Sequence, residues 1–137
     1  MKAVAIYDHS TQGLGYLAAA YFSYFADKKG GCSIELAAPL DEEIRAHLQQ
    51  VLMEDNLYLD PDVPTTGKIA YPQLQIHIAA PWEMTDSGTP TPGLYFIEME
   101  DELDQLPALE RYREYREVVK REILRIIGKE SLFSSRS

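Results

Sequence analysis

The chain has a single cysteine, Cys32, in 137 residues, which excludes an internal disulfide and any thiolate-rich metal site. It has no apolar run of membrane-span length, and Met1-Lys2-Ala3 leads into too few apolar residues for a signal peptide. Positive charge is scarce as well. Thirteen Lys and Arg stand against 22 Asp and Glu, a net charge of −9, which repels phosphate backbones and anionic lipid. Nucleic acid and membrane surfaces are thereby excluded as general partners, and a cytoplasmic site of action is expected. No metal site is assigned, and the residues call for no cofactor.

Hydrophobic residues make up 45% of the chain, which at this length suits one domain with a real core. The expected organisation is a single α/β domain over residues 1–130 and a polar tail over 131–137. The first 29 residues organise the rest. Lys2 to Tyr7 reads as a buried-type strand, Asp8-His9-Ser10-Thr11-Gln12-Gly13-Leu14-Gly15 as a polar, glycine-bearing loop, and Tyr16 onward as helix. A strand that feeds such a loop into a helix N-terminus converges free N–H groups and the positive end of the helix dipole, a ready anion pocket. Asp8, His9, Ser10, Thr11, Gln12, Gly13 and Gly15 are therefore the candidate ligand-binding residues.

The helix carries Leu14, Leu17, Ala18, Tyr21, Phe22 and Phe25 on one face, and Asp27-Lys28-Lys29-Gly30-Gly31 supplies its stop. Cys32 to Ala38 reads as a second strand, closed by Pro39, with Cys32 at its start. Asp41 is an N-cap for a second helix whose Ile44, Leu48, Val51 and Leu52 share a face. Asn56 to Gly67 reads as an irregular connection, and Leu74 to Ala80 is the third strand. Pro81 to Gly93 is a long, exposed, breaker-rich loop. Leu94 to Ile97 is the fourth strand, and five carboxylates follow within Glu98–Asp104. Pro107 opens a last helix to Ile127, stopped by Gly128, with Leu109, Tyr112, Val119, Ile123 and Ile126 inward and Glu117 with Arg121 as a solvent-side pair. Strands alternating with helices predict a four-stranded, mostly parallel sheet covered on both faces, a three-layer sandwich of flavodoxin-like topology. Ligands of such sheets bind beyond the strand C-termini, where the Asp8–Gly15 loop lies.

This order of elements resembles the low-molecular-weight protein tyrosine phosphatases and the thioredoxin-coupled arsenate reductases. Their first strand ends in Cys-x5-Arg-Ser before a helix that Leu17-Ala18-Ala19-Ala20 fits. The register puts Asp8 at the nucleophilic cysteine and Leu14 at the phosphate-gripping arginine. Val51 to Leu59 is similar to the family's helix end, Pro90-Thr91-Pro92-Gly93 to its Cys-Pro-x-x-Pro-Gly turn without the cysteine, and Tyr112 to Ile123 to the last helix of the reductases. The resemblance implies a domain without catalytic residues, acting as a binding or regulatory protein through its strand-end loops. The family's catalytic aspartate falls near Glu100 or Asp101. Ser10-Thr11-Gln12-Gly13 also resembles half of the flavodoxin loop Ser-Thr-x-Gly-x-Thr, with Trp82 in the place of a flavin-stacking ring. This alternative is an FMN-binding protein or an enzyme working on a phosphate ligand at the loop. Gly15 stands where the closing threonine belongs, and the tail after Gly93 is one strand and one helix short.

Simpler roles stand beside these. The glycines serve any tight turn, Ser10 or Thr11 caps the helix, and Asp8 and His9 point different ways without a partner cluster. His77 reads as a satisfied core histidine and His47 as a helix-surface residue. Trp82 among prolines is either an interaction anchor or a local plug. A protein partner of unknown identity is expected there, a homodimer being one form of it. The missing threonine and missing final elements predict that FMN does not bind tightly. Purified protein is expected to be colourless, with a flavin dissociation constant above about 1 µM, or about −8 kcal/mol, by fluorescence titration.

Overall fold

A computed structural model describes residues 4–10, 12–26, 32–36, 41–58, 74–80, 93–99, 103 and 105–130. Seven elements follow one another: β1 (Val4–Asp8), α1 (Leu14–Ala26), β2 (Cys32–Leu36), α2 (Glu42–Met53), β3 (Leu74–Ile78), β4 (Leu94–Ile97) and α3 (Ala108–Lys129). All strand pairs are parallel and the sheet order is β2-β1-β3-β4. From β1 the chain crosses one way to β2 and then returns to the other side at β3. The switch in strand order therefore lies between β1 and β3, beyond Asp8 and Ile78, the place where ligands of such sheets bind.

The period of two along the strands sorts their side chains. Val4, Ile6, Ile34, Leu74, Ile76, Ile78 and Ile97 share one face and form a single buried cluster with α1, α2 and α3. The opposite face carries Ala5, Ser33 and His77, all buried, with Tyr7, Gln75 and Phe96 half-buried. Residues of all three described helices belong to the cluster on the first face.

Local signals explain the element ends, and tertiary contacts explain where those signals were overridden. Asp41 caps α2 as anticipated, its carboxylate accepting from the Glu43 N–H at 2.9 Å. The end of α2 is closed by a paired turn in which Leu57 N bonds Leu52 O at 2.9 Å and Asn56 N bonds Met53 O at 3.0 Å. Asn56 takes the left-handed conformation this requires, at φ 61°. Helix α1 starts at Leu14, two residues before the expected Tyr16, because Gly13 at φ 69° turns the chain straight into it. Gly128 does not stop α3, which continues to Lys129 and is held by Glu130, whose carboxylate accepts from Tyr95 OH at 2.8 Å. The inward stripe of α3 also includes Tyr115 and Ile127, while Leu109 is half-buried. Glu117 pairs with its neighbour Arg116 at 2.9 Å, not with Arg121 as the helical spacing suggested.

Polar contacts seal the junction of the three helices. Tyr21 OH donates to Asp55 Oδ2 at 2.6 Å, and Lys120 Nζ reaches the same oxygen at 3.2 Å. Arg116 Nη1 donates to the Val51 carbonyl at 3.0 Å and to Glu54, which Arg113 also grips. The Tyr21 hydroxyl first, and Lys120 after it, hold the Asp55 carboxyl below its ordinary 3.8. A depressed folded pKa contributes stability above the unfolded value and loses it as pH falls through the folded one. Tyr21→Phe is therefore expected to cost about 1–2 kcal/mol at pH 7, and less below pH 4, in urea unfolding followed by circular dichroism.

Candidate functional site

Alternation along β1 puts Asp8 on the core-facing side with Val4 and Ile6, where it is only 2% exposed. A buried carboxylate needs donors, and the loop that follows supplies them. Asp8 Oδ1 accepts from the Ser10 N–H at 2.9 Å and from Ser10 Oγ at 2.5 Å, and Oδ2 accepts from the Gly15 N–H at 3.0 Å. Ser10 Oγ in turn accepts from Gln12 N at 3.2 Å. A Cβ on Gly15 would lie 2.8 Å from Ile34 Cγ2 and 3.2 Å from Asp8 Cβ, so only glycine lets the helix start come this close to the strands. The threonine of a flavodoxin loop does not fit at that position.

The two residues that the resemblance aligned with cysteine and arginine both turn inward. Asp8 fills the cradle of the loop, and Leu14 is 1% exposed in the core. Burial raises the Asp8 carboxyl above its ordinary 3.8, against the opposing bonds from Ser10 and Gly15 and the nearby His9. Cys32 pairs with Val4 at the far end of β1, whereas Asp8 pairs with Leu36. Four residues at about 3.3 Å each put the thiol's backbone roughly 13 Å along the sheet from the loop.

The rest of the loop is tied to distant elements. His9 N bonds the Ile78 carbonyl at 3.0 Å, and its ring nitrogen lies 2.9 Å from His77 Nδ1. The expectation that His9 had no partner is thus corrected: its partner comes from β3, 68 residues on. His77 is 9% exposed, stacked on Tyr7 at 4.6 Å between ring centres and next to Phe96 at 5.4 Å, and burial lowers its pKa from 6.5 to about 4. It is the satisfied interior histidine expected. Gln12 Oε1 accepts from Tyr112 OH of α3 at 2.5 Å, a pairing across 100 residues that no local pattern announces. His47 lies half-buried at the surface of α2, its Nδ1–H donating to the Glu43 carbonyl at 2.8 Å and its ring stacked on Tyr112 at 5.2 Å. At the exit of β3, Ala79 is held at φ 55° with its N–H on the Ile97 carbonyl at 2.9 Å, so this strand end carries strained backbone.

Thr11, Trp82, Glu100, Asp101 and all of Pro81–Gly93 except Gly93 lie outside the described residues. Among the described residues no three His, Cys, Asp or Glu gather as a metal site, and no helix is long and apolar enough to cross a membrane. Sequence comparison finds no matching family model and no matching curated protein. Solved structures do match. An arsenate reductase in its oxidised state superimposes with TM-score 0.68 at 14% identity, covering 94% of this chain and 98% of the other. The fold is that of the arsenate reductases and low-molecular-weight protein tyrosine phosphatases. The arsenate reductase of Archaeoglobus fulgidus matches at TM-score 0.61 and 16% identity, over 91% of this chain and 98% of its own. A low-molecular-weight protein tyrosine phosphatase of T. tengcongensis matches at 0.62 and 14%, over 94% and 99%.

On this reductase–phosphatase fold, a raised folded pKa at Asp8 means that the native state takes up its proton at higher pH than the unfolded chain. The stability linked to that proton is complete below 3.8 and is lost as pH rises through the folded value. Asp8→Ala leaves the Ser10 and Gly15 N–H groups without their acceptor, at a cost of about 1–3 kcal/mol. That cost is expected to be larger at pH 5 than at pH 7, in urea unfolding of wild type and variant at both values.

Proposed function

We propose that this chain is a reductase- and phosphatase-like domain without the thiol chemistry of that fold, serving as a binding or regulatory protein through its strand-end loops. One observation carries the reading: the Asp8 carboxylate occupies the cradle of loop donors that would otherwise face an anion. Phosphoester hydrolysis and arsenate reduction on this fold call for a thiolate in the loop, and the only cysteine begins β2, at the other end of the sheet. A second anion about 4 Å from the ionised carboxylate is repelled by on the order of 4 kcal/mol at an effective dielectric of 20. Leu14 withholds the guanidinium whose charge-assisted bonds offset such repulsion, at roughly 1.5–3 kcal/mol each.

The binding role then falls to the outer loops. Trp82, flanked by Pro81, is the aromatic anchor proposed for a protein partner, a second copy of this chain being one form of it. The loop itself is left to neutral or carbonyl groups.

The test is p-nitrophenyl phosphate and arsenate turnover, with phosphate titration followed by calorimetry, on wild type, Asp8→Ala and Asp8→Cys. Wild type is expected to be inert and to bind no phosphate at millimolar concentration, while Asp8→Ala, with its donors uncovered, gains weak phosphate binding. Wild-type turnover that Asp8→Ala abolishes overturns the reading, because the carboxylate is then a working group.

A further inference from the structure

Arg111 carries an unmet donor at the edge of the first loop. All strands run parallel, so the chain leaves β4 at the edge where the Asp8–Gly15 loop lies, and α3 begins there. The next residue, Tyr112, fixes that placement: its OH reaches Gln12 of the loop, and its ring stacks on His47 of α2. The Arg111 guanidinium carbon lies 5.6 Å from the centre of the Tyr112 ring. The side chain is half-buried, yet its Nε is fully buried and has no hydrogen-bond partner among the described residues.

Other arginines of α3 are placed differently. Arg113, Arg116 and Arg125 each hold a carboxylate, and Arg121 stands in solvent. A guanidinium has five N–H donors and accepts nothing, so a buried, unpaired Nε–H is a desolvated group that costs stability until an acceptor meets it. Arg111 therefore gives up little by swinging out to an anion, while the Tyr112 ring keeps its stem at the loop edge.

We propose that Arg111 is the receptor for a carboxylate, the side chain of a Glu or Asp on the protein partner, at the mouth of the β1–α1 loop beside Gln12 and Tyr112. This rests on the reading that the strand-end loops bind a partner. The planar guanidinium matches a carboxylate through two parallel bonds. Charge then selects carboxylate over phosphate. Burial first raises the Tyr112 hydroxyl, Arg111 opposes it, and the nearby Glu43 and Asp41 carboxylates add to the rise, so this edge holds negative charge as well. Coulomb repulsion scales with the charge of the guest, and a dianion meets about twice the penalty of a monoanion there.

The test follows the Arg111 Nε–H signal of the full chain by ¹H–¹⁵N NMR at pH 6.5, assigned by its loss in Arg111→Lys. The probes are acetyl-glutamate amide, the neutral acetyl-glutamine amide, acetate and inorganic phosphate. Acetyl-glutamate amide is expected to shift the signal saturably and to bind about tenfold tighter than acetate or phosphate, because its peptide groups add contacts to the loop. Acetyl-glutamine amide is expected to leave the signal in place. Read on the Gln12 and Tyr112 amides, Arg111→Lys should weaken binding about threefold and Arg111→Gln should abolish it. An unshifted wild-type signal, or an equal response to acetyl-glutamine amide or phosphate, overturns the proposal whether or not the variants fold. Acetate binding as tightly as acetyl-glutamate amide overturns the partner side chain in favour of a free small acid. A wild type that is inert toward p-nitrophenyl phosphate and arsenate and binds no carboxylate removes this inference alone, whereas turnover abolished by Asp8→Ala removes the reading beneath it.

Discussion

A carboxylate fastened inside its own loop holds this molecule's first turn together. Asp8 ends the central strand β1 on the core side, where an unpaired charge would be prohibitive. The chain meets that constraint locally: Ser10 returns two donors after one intervening residue, and Gly15 brings the first turn of α1 against the other oxygen. The closeness of that approach dictates glycine at position 15, and the direction of the turn dictates glycine at 13. Asp8, Ser10, Gly13 and Gly15 thus form one mutually dependent unit. The turn satisfies its own donors with a carboxylate that the strand supplies.

Around this unit the sheet is asymmetric in chemistry. One face is aliphatic and closes with three helices into the core, while the other sets an aromatic row, Tyr7–His77–Phe96, across three neighbouring strands in register. The row exists because parallel pairing aligns Tyr7 with His77 and His77 with Phe96. The same pairing places His9 one step beyond the sheet, within reach of His77. Helix α3 then binds the assembly from behind: Tyr112 reaches the loop through Gln12, Tyr115 and Val119 fill the core, and Lys120 joins Tyr21 at Asp55. Loop, strand ends and helix junction are therefore linked by contacts through α3 and β3.

The element order, the parallel sheet and the core stripes were legible because they follow from periodicities of 2 and 3.6 and from local punctuation. The same holds for the Asp41 cap and for the placement of Cys32 away from the loop. Where the reading erred, a tertiary bond outweighed a local signal. Gly128 should end a helix, yet Glu130 is anchored by Tyr95 and the helix runs on. Glu117 should reach Arg121, yet it pairs with Arg116, which Glu54 and the Val51 carbonyl hold against the end of α2.

The sequence by itself determined the architecture and the presence of a single cysteine away from the first loop, since both are read from short stretches and a count. It also placed a polar, glycine-bearing loop at the strand exit. Only the tertiary structure decided what that loop contains. Whether Asp8 faced a ligand or the interior depended on the turn of β1 and on Gly15 approaching Ile34, and whether His9 stood alone depended on the parallel register of a strand 68 residues away. Spacing along a chain carries no record of such meetings, because cross-strand neighbours are set by sheet order and register rather than by sequence distance.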